Sequence, residues 1–446
     1  MMNKLVCFIF IGLLIPFVDA RAQDSAVFAL EDAVSYGLEN HSGIHAQETK
    51  LEYHEKLTKA ERSRYLPNIR ATAEYRYNTN LPVSILPGDA FGQQGDGPLE
   101  IQMGTRNVLQ AGVRLEQPVY DPVIFSDVDE MEIREKMADN RMVKERRKVA
   151  LQIRRVYFRA VLHRELVESS RKNLDRYDTL AAVVKDQYQN GLISESRMLE
   201  TLNKRDNQQL ELEMNLMKYQ NAMERLKLAM EYPQDKLLQL NDTALAGLVD
   251  DEIHPAGQDF AYKKVPGFRS VELRQELNRE QSKRLGRRYQ PVLSAVGFIG
   301  ADYYDDVFSP FENDNRWYRH SFVGLSLRVP VFEGFSANRQ RQALEKQAEM
   351  IAAQKARLAS ELQTREKILA DEIRINMKRA QKRKNEYQLS TRKLQDATNN
   401  LKNGLAGYRD VLIADMEMRM KYRAWISTLL NVLNSSLEYE EVTAVY

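Results

Sequence analysis

The sequence predicts a mainly α-helical chain with transmembrane β-strands, organised as two similar halves. Long stretches without proline or glycine predict helices of unusual length, and residues 337–402 are the longest of them. An Asn-Gly-Leu break occurs once in each half, at residues 190–192 and 403–405, which indicates an internal repeat. Two pairs of segments also alternate apolar and polar residues with the period of a β-strand.

The amino terminus predicts an export signal that is not part of the fold. Lys4 provides a positive charge, residues 5–18 form an apolar core, and small residues flank Arg21 at a cleavage site. We therefore predict a signal peptide over residues 1–22. The only cysteine, Cys7, lies within it, so the predicted mature chain has no thiol for a disulfide.

The charge balance gives no sign of a partner selected by overall charge. The 446 residues include 65 lysines and arginines and 63 aspartates and glutamates, which argues against a nucleic-acid-binding protein. A charged fraction of 29% beside 43% hydrophobic residues suits long helices with solvated faces. Beyond the predicted signal peptide, no apolar run approaches the roughly 18 residues of a membrane-spanning helix, so any membrane segment should be a β-strand.

The first half, predicted over residues 23–232, begins with a helix over residues 28–65 that should break near Gly43. Residues 68–80 should then form a strand with one apolar and one polar face. The apolar face carries Ile69, Ala71, Ala73, Tyr75 and Tyr77, and the polar face carries Arg70, Thr72, Glu74 and Arg76.

A second strand completes the first strand pair, which covers about residues 68–119. Residues 81–100 are rich in proline and glycine and predict a long loop between the two strands. The alternation returns at Asn107. Pro118 is expected to end the second strand, because proline has no N–H to donate to the ladder.

The second half, predicted over residues 267–446, repeats this order after a linker at residues 233–266. Its strand pair covers about residues 292–332, with an acidic loop over residues 305–319 that contains Trp317. The first strand of this pair is the weaker prediction, because Val296 and Phe298 lie on the face that should be polar.

The strand pairs allow two interpretations. A soluble sheet would pack its apolar face on protein, whereas a transmembrane β-barrel would turn that face to lipid. Strands of about 12 residues exceed the ~9–11 that a tilted membrane strand needs, which favours the barrel. Four strands cannot close a barrel, whose practical minimum is about eight, so membrane strands would require an oligomer that shares one barrel.

The long helices are predicted to form two hairpins, over about residues 126–232 and 337–440. One arm of about 65 residues would be about 100 Å long. Coiled-coil seams run along both hairpins. In the first, they include Ile153, Ala160, Val167, Leu174, Leu226 and Met230, and in the second Ile373, Ala380, Tyr387, Trp425 and Val432. The seam is thin and surrounded by basic residues over residues 371–402, which predicts a helix with one face on water or a lumen.

Several short motifs, taken in order and spacing, resemble the TolC family of outer-membrane efflux proteins. They are Phe28-Ala29-Leu30-Glu31-Asp32-Ala33, Tyr65-Leu66-Pro67, the Asn-Gly-Leu turn and Pro330-Val331-Phe332-Glu333-Gly334. The resemblance covers almost the whole predicted mature chain. It implies a homotrimer in which a twelve-stranded β-barrel, with four strands from each chain, continues into a long α-helical coiled-coil barrel.

The resemblance implies a function and partners as well. It indicates an exit duct in the cell outer membrane that extends into the periplasm and serves a tripartite efflux pump or a type I secretion system. A periplasmic adaptor and an inner-membrane pump would be its partners, and the linker at residues 233–266 would form an equatorial domain. The alternative is a periplasmic coiled-coil adaptor or scaffold, although adaptors usually have one helical hairpin.

The resemblance also implies functional residues at the two hairpin turns. The turns that would contact the adaptor carry Asn190, Gly191, Leu192, Asn403, Gly404 and Leu405. The family motif has two aspartates that ring the closed aperture; here Asp410 keeps the first, and Asp415 is the nearest substitute for the second. Arg197 occupies an acidic position of the motif, and Ala406 replaces a basic one. We therefore expect an acidic ring at Asp410. The family's ionic latch and cation-binding ring are not predicted for this chain.

No catalytic site, metal site or cofactor is predicted. His41 and His45 are four residues apart on a helix and His54 follows, but no third type of ligand converges on them, so they are interpreted as surface histidines. Four methionines at helical spacing, which could suggest a soft-metal path, are interpreted as seam packing. They are Met214, Met217, Met223 and Met230. The sequence contains no phosphate loop and no motif of a zinc protease or serine hydrolase, so we predict that the protein is not an enzyme.

Overall fold

The chain forms two compact units that cut across the two sequence halves. The computed structural model describes residues 26–86, 99–241, 245–247, 260–312, 317–403, 405 and 407–443, so the predicted signal peptide lies outside it. The helical unit comprises Met1–Ile44, Arg146–Asp259 and Glu366–Val442, and the sheet unit comprises His45–Glu145, Phe260–Arg365 and Thr443–Tyr446. Each half contributes to both units, because its longest helix begins in the sheet unit and ends in the helical unit.

The helical unit contains the two hairpins and a short parallel strand pair. Its elements are β1 (Ala26–Phe28), α1 (Leu30–Asn40), the later part of α3 (Pro122–Gln189), α4 (Glu195–Met230), β6 (Leu238–Leu240), the later part of α6 (Ser336–Lys402) and α7 (Tyr408–Thr443). The helix breaks lie where the Asn-Gly-Leu turns predict them. The pairing of β1 with β6 was not predicted, because strands of three residues are too short to show a period.

The sheet unit combines an antiparallel sheet with the remaining helices. Its elements are most of α2 (Ser42–Arg62), β2 (Asn68–Tyr77), β3 (Val83–Leu86), β4 (Leu99–Gln102), β5 (Asn107–Tyr120), α5 (Pro266–Arg287), β7 (Val292–Asp305) and β8 (Trp317–Arg328). The first parts of α3 and α6 also belong to it. The chain separates α1 from α2 at His41, close to the predicted break.

One four-stranded sheet receives the strand pairs of both halves, in the order β2-β5-β7-β8. All its neighbours are antiparallel, and β5 pairs with β7 to join the halves, with Val113 opposite Ile299. Ala71 lies opposite Val113, and Ile299 lies opposite Ser321. Directly opposed residues project from the same face, so these four residues lie on one face of the sheet. The predicted alternation therefore becomes two continuous surfaces.

Three predictions about the strands were wrong in detail. Part of the predicted loop over residues 81–100 forms an antiparallel ribbon, in which β3 pairs with β4. Pro118 does not end β5, which continues to Tyr120 with a bulge. Beyond Glu116, β5 has no partner on the side of β2, so a residue without an N–H can be placed there. In the second half, Trp317 begins β8 and is not part of the loop.

Ion pairs connect the helices of the sheet unit beside the sheet. The Asp127 carboxylate at the start of α3 accepts hydrogen bonds from the guanidinium groups of Arg64, at 2.8 Å, and Arg284. Arg287 of α5 donates to the Ser126 hydroxyl at 2.8 Å. These contacts hold the beginning of α3 against α5. In the sequence repeat, α5 of the second half corresponds to α2 of the first half.

The core of the helical unit follows the predicted seams. Ile153 and Ala160 of α3, Leu226 of α4 and Val432 of α7 are completely buried. The seam opens towards the first turn, where Tyr188 is exposed. Burial of these side chains is the main stabilisation available to helices of this length, because an amphipathic helix gains most of its stability from packing.

The four methionines do not share one environment. Met223 and Met230 are buried in the seam, as predicted. Met214 and Met217 are exposed, so the prediction that all four pack in the seam was wrong for these two. They lie on the outer side of α4 within this chain.

Candidate functional site

One face of the sheet is apolar; it is exposed on the outer strands and at Val113 and Ile299 of the inner strands, whereas Tyr303 is buried. The register aligns Ile69, Leu115, Gly297 and Val323 in one row and Tyr75, Leu109, Tyr303 and Trp317 in another. The Val323 side chain is 92% exposed and that of Leu325 is 72% exposed, although both are aliphatic. A contiguous apolar surface of this kind marks contact with a protein or with lipid.

The opposite face carries most of the polar side chains, together with Val108, Val296 and an aromatic group centred on Phe298. Its ring stacks on His320 at 5.0 Å, and the Arg114 guanidinium lies 5.8 Å from its centroid. The ring rests against Gly112 and Gly300, where a Cβ atom would come within 2.4 and 2.6 Å of it. Phe298 thus covers the two glycines, which explains an apolar residue on a polar face.

Both outer strands of the sheet lack a partner on one side. Within the described residues, β2 pairs only with β5, and β8 pairs only with β7. Every residue of β2 is exposed, and β8 is exposed along nearly its whole length. Each edge therefore presents a row of free backbone donors and acceptors.

The first hairpin turn is a Schellman motif at the end of α3. Gly191 has a φ of 70°, the Leu192 N–H donates to the Gln187 carbonyl at 2.8 Å, and the Gly191 N–H donates to the Tyr188 carbonyl at 2.9 Å. The left-handed backbone favours glycine at this position. Leu192 is 72% exposed, so the turn presents an apolar side chain to its surroundings.

The second hairpin turn repeats part of this geometry. The Leu405 N–H donates to the Asn400 carbonyl at 2.8 Å, which is the same five-residue spacing. Asn403 continues the helical bonding with a donation to the Asn399 carbonyl. Gly404 lies outside the described residues, whereas Leu405 is exposed like its counterpart Leu192.

A cavity of about 530 Å³ lies between the ends of the two hairpins, and its charged lining is mostly basic. Arg197 and Lys204 contribute to it from α4 and Arg409 from α7. Lys204 pairs with Glu200 at 2.5 Å, and this hydrogen bond lowers the pKa of Glu200. Asp410 is exposed, and its carboxylate accepts a hydrogen bond from the Gly407 N–H at 2.9 Å.

Asp415 is buried between two arginines and connects the hairpins. Its carboxylate lies 3.1 Å from Arg176 of α3 and 3.0 Å from Arg419 of α7. Neither contact has hydrogen-bond geometry, so both are ion pairs. Arg419 also donates to the Gln208 side chain of α4 at 2.5 Å and lies over the ring of Tyr177. We call Asp415, Arg176, Arg419, Gln208 and Tyr177 the hairpin clasp.

The hairpin clasp joins α3, α4 and α7 through one buried carboxylate. Burial raises the pKa of Tyr177, and Asp415 acts in the same direction while Arg419 opposes both. Asp415 is therefore an internal, charge-compensated residue of the chain, whereas Asp410 is exposed at the turn. Sequence reasoning named both aspartates, but it could not distinguish them without their neighbours.

The histidines considered as metal ligands have other surroundings. His41 lies 3.6 Å from Glu231 and His45 lies 3.2 Å from Glu48, while the Nδ1 atom of His54 is buried. In the described ranges, no three His, Cys, Asp or Glu side chains are grouped as metal ligands would be. None of the helices described has the length and apolarity to cross a bilayer.

One family profile matches part of this chain. Residues 34–230 match the family profile described as outer membrane efflux protein. This region includes the first strand pair and the first hairpin. No curated protein sequence matches the chain.

Solved structures of bacterial channels share the fold over almost the full length. CusC matches with a TM-score of 0.72 at 10% identity, covering 94% of this chain and 92% of its own. VceC from Vibrio cholerae matches with a TM-score of 0.68 at 14% identity, covering 93% of this chain and 96% of its own. The open state of MtrE from Neisseria gonorrhoeae matches with a TM-score of 0.69 at 12% identity, covering 93% and 89%. These matches give no support to the alternative of a periplasmic adaptor.

Proposed function

We propose that this chain is the exit duct of a tripartite efflux pump, because residues 34–230 match the outer membrane efflux protein profile and the chain has the fold of outer-membrane channels. The observation that carries this proposal is the sheet, which combines an exposed apolar face with two open edges. In a bilayer, such a sheet is stable only if the apolar face is covered and the backbone groups of both open edges are hydrogen-bonded.

Lipid and further copies of the chain would provide those partners. Acyl chains can cover the apolar face, but they cannot bond to the free backbone groups of β2 and β8, each of which would cost several kcal/mol in hydrocarbon. Pairing the β8 edge of one copy with the β2 edge of the next satisfies both edges. Three copies with four strands each exceed the roughly eight strands that a closed barrel requires.

The polar face of the sheet would then line a water-filled lumen. It places the side chains of Arg114, Gln110 and Glu74, which lie on a strand surface, in the path of a solute. The proposed cargo is therefore a class of small solutes driven by an external pump. We assign the two hairpin turns, with the exposed Leu192 and Leu405, to contact with a periplasmic adaptor.

The aperture charge is assigned to Asp410. Its carboxylate is exposed at the start of α7, so three copies could place three such groups around one opening. Asp415 was also predicted at the aperture, but its charge is already compensated by Arg176 and Arg419. We assign to Asp415 the role of holding the two hairpins together.

Planar-bilayer recording tests the duct directly. The mature chain, purified in detergent and added to the bilayer, is expected to give discrete conductance steps. The Asp410→Asn variant is expected to conduct with weaker selectivity for cations, because it removes the ring of negative charge at the aperture. A complete lack of conductance in both proteins, despite confirmed insertion, would contradict the proposed duct.

A further inference from the structure

A second basic cavity lies between α3 and α4, away from the hairpin turns. It is open to solvent, has a volume of about 190 Å³ and is lined by Val156, Arg159, His163, Lys218, Asn221, Ala222 and Arg225, of which the three cations are exposed. Arg159 and His163 are one helical turn apart on α3, and Lys218 and Arg225 are two turns apart on α4. Antiparallel packing of the two helices brings these four nitrogen-bearing side chains to one site, which we call the α3–α4 basic cavity.

No carboxylate compensates the three permanent cations of this cavity. Elsewhere the chain commonly pairs a cation with an acid three or four residues away, as in Arg171 with Glu168 and Lys204 with Glu200. No acidic residue stands three or four positions from Arg159, Lys218 or Arg225. Within the described ranges none of the three forms an ion pair, and no acidic side chain lines the cavity. Three like charges around one cavity create a local positive potential that attracts an anion.

His163 adds a titratable side chain to the lining of the cavity. Its Nδ1 atom is buried and has no hydrogen-bond partner among the described residues. Burial lowers the pKa of His163, and the positive charges of Lys218 on α4 and Arg159 on α3 lower it further. An anion in the cavity would offset both charges.

We propose that the α3–α4 basic cavity binds a small oxyanion through Arg159, Lys218, Arg225 and His163. The size of the cavity suits an inorganic oxyanion, whereas a protein segment would need a longer groove. The side chains of Arg159, Lys218 and Arg225 provide only donors, as recognition of a sulfate or phosphate group requires. This site does not depend on the proposed duct, since it involves no membrane or aperture residue.

Protonation of His163 and binding of the anion should reinforce each other. The anion favours the charged imidazole, so it raises the pKa of His163, and by linkage the protonated protein binds the anion more tightly. Affinity should therefore increase as pH falls through the pKa of His163. The permanently charged neighbours on both helices keep their charge over this range, so the change in affinity follows His163.

NMR titration of the histidine ring signals tests the proposal with sulfate, whose charge stays constant while histidine titrates. The full mature chain is titrated in sulfate and in chloride at equal ionic strength, and His163→Gln identifies the His163 signal among the six histidines. Sulfate is expected to raise the pKa of His163 by about one unit. Arg225→Gln is expected to weaken sulfate binding about tenfold, because it removes one charge-assisted contact.

Arg171→Gln is the matched control, since it removes one positive charge from the same helix at a residue that already has Glu168 as its partner. It should leave the effect of sulfate on His163 unchanged. An equal loss in both variants would show a general effect of charge and overturn the site. If sulfate does not change the pKa of His163 in the original chain, the proposed site is also overturned. This outcome includes the case in which carboxylates of a neighbouring copy fill the cavity.

Discussion

Val323→Lys is expected to abolish stable insertion of the protein into the outer membrane. Val323 lies near the middle of β8 on the apolar face and is 92% exposed within one chain. A lysine on the lipid face of a barrel costs about 2–4 kcal/mol near the bilayer centre, and each of the three proposed copies would bear this cost. Detergent extraction of outer-membrane fractions, followed by quantitative immunoblotting, measures the loss.

Ser326→Lys provides the matched control for this substitution. Ser326 is an exposed residue of the same strand, but its side chain lies on the opposite, polar face. A lysine there should be tolerated, because the proposed lumen is wet. If the protein were a soluble scaffold, both lysines would be harmless surface changes. Normal membrane insertion of Val323→Lys would therefore contradict contact between this face and lipid.

Asp415→Asn is expected to loosen the hairpins and lower the stability of the helical unit by about 2–3 kcal/mol. Removing one partner of a buried ion pair leaves the other charge uncompensated, at a cost of about 3–5 kcal/mol. The Asp415 side chain is 7% exposed and that of Arg419 is 12% exposed, but that of Arg176 is 41% exposed and can turn towards water. The expected loss of stability is smaller than the usual cost because Arg176 can become hydrated once its partner is removed. Urea unfolding followed by helical circular dichroism measures the difference.

Two further variants separate the hairpin clasp from a general effect of charge. Asp410→Asn removes an exposed carboxylate from the same helix and should change the unfolding free energy by less than about 0.5 kcal/mol. Combining Asp415→Leu with Arg419→Met should recover part of the stability, because apolar side chains can replace a buried pair with little loss. Equal stability of Asp415→Asn and the original chain would show that the clasp contributes nothing.

The elements that could be predicted from sequence are those marked by a residue pattern that continues over many consecutive positions or by a turn motif. The helix of residues 336–402 has neither proline nor glycine, and both turns carry Asn-Gly, so the hairpin ends were predicted closely. The strands of the sheet were found because their alternation continues for ten or more residues. The single sheet that joins both halves also agrees with the repeat, because each half supplies one antiparallel pair.

The remaining features depend on contacts between distant residues and have no local pattern. The β1 and β6 strands are too short for periodicity, and prolines obscured the β3–β4 ribbon. The pairing of Asp415 with Arg176 crosses more than two hundred positions in sequence, so the spacing of the tip motif suggested an aperture residue instead. No local pattern marks His163 as a site residue, and the three cations that share its cavity come together only when α3 and α4 pack.

Cysteine cross-linking between β2 and β8 tests the closure of the sheet by copies most directly. Within one chain β5 and β7 separate these strands by three strand spacings, about 14 Å, which is too far for a disulfide. The predicted mature chain has no cysteine of its own, so Thr72→Cys can be combined in turn with a cysteine at Gly324, Ser326 or Arg328. We expect oxidation in intact outer membranes to give covalent dimers and trimers for at least one pair. Chains that stay monomeric with every pair would contradict a barrel shared between copies.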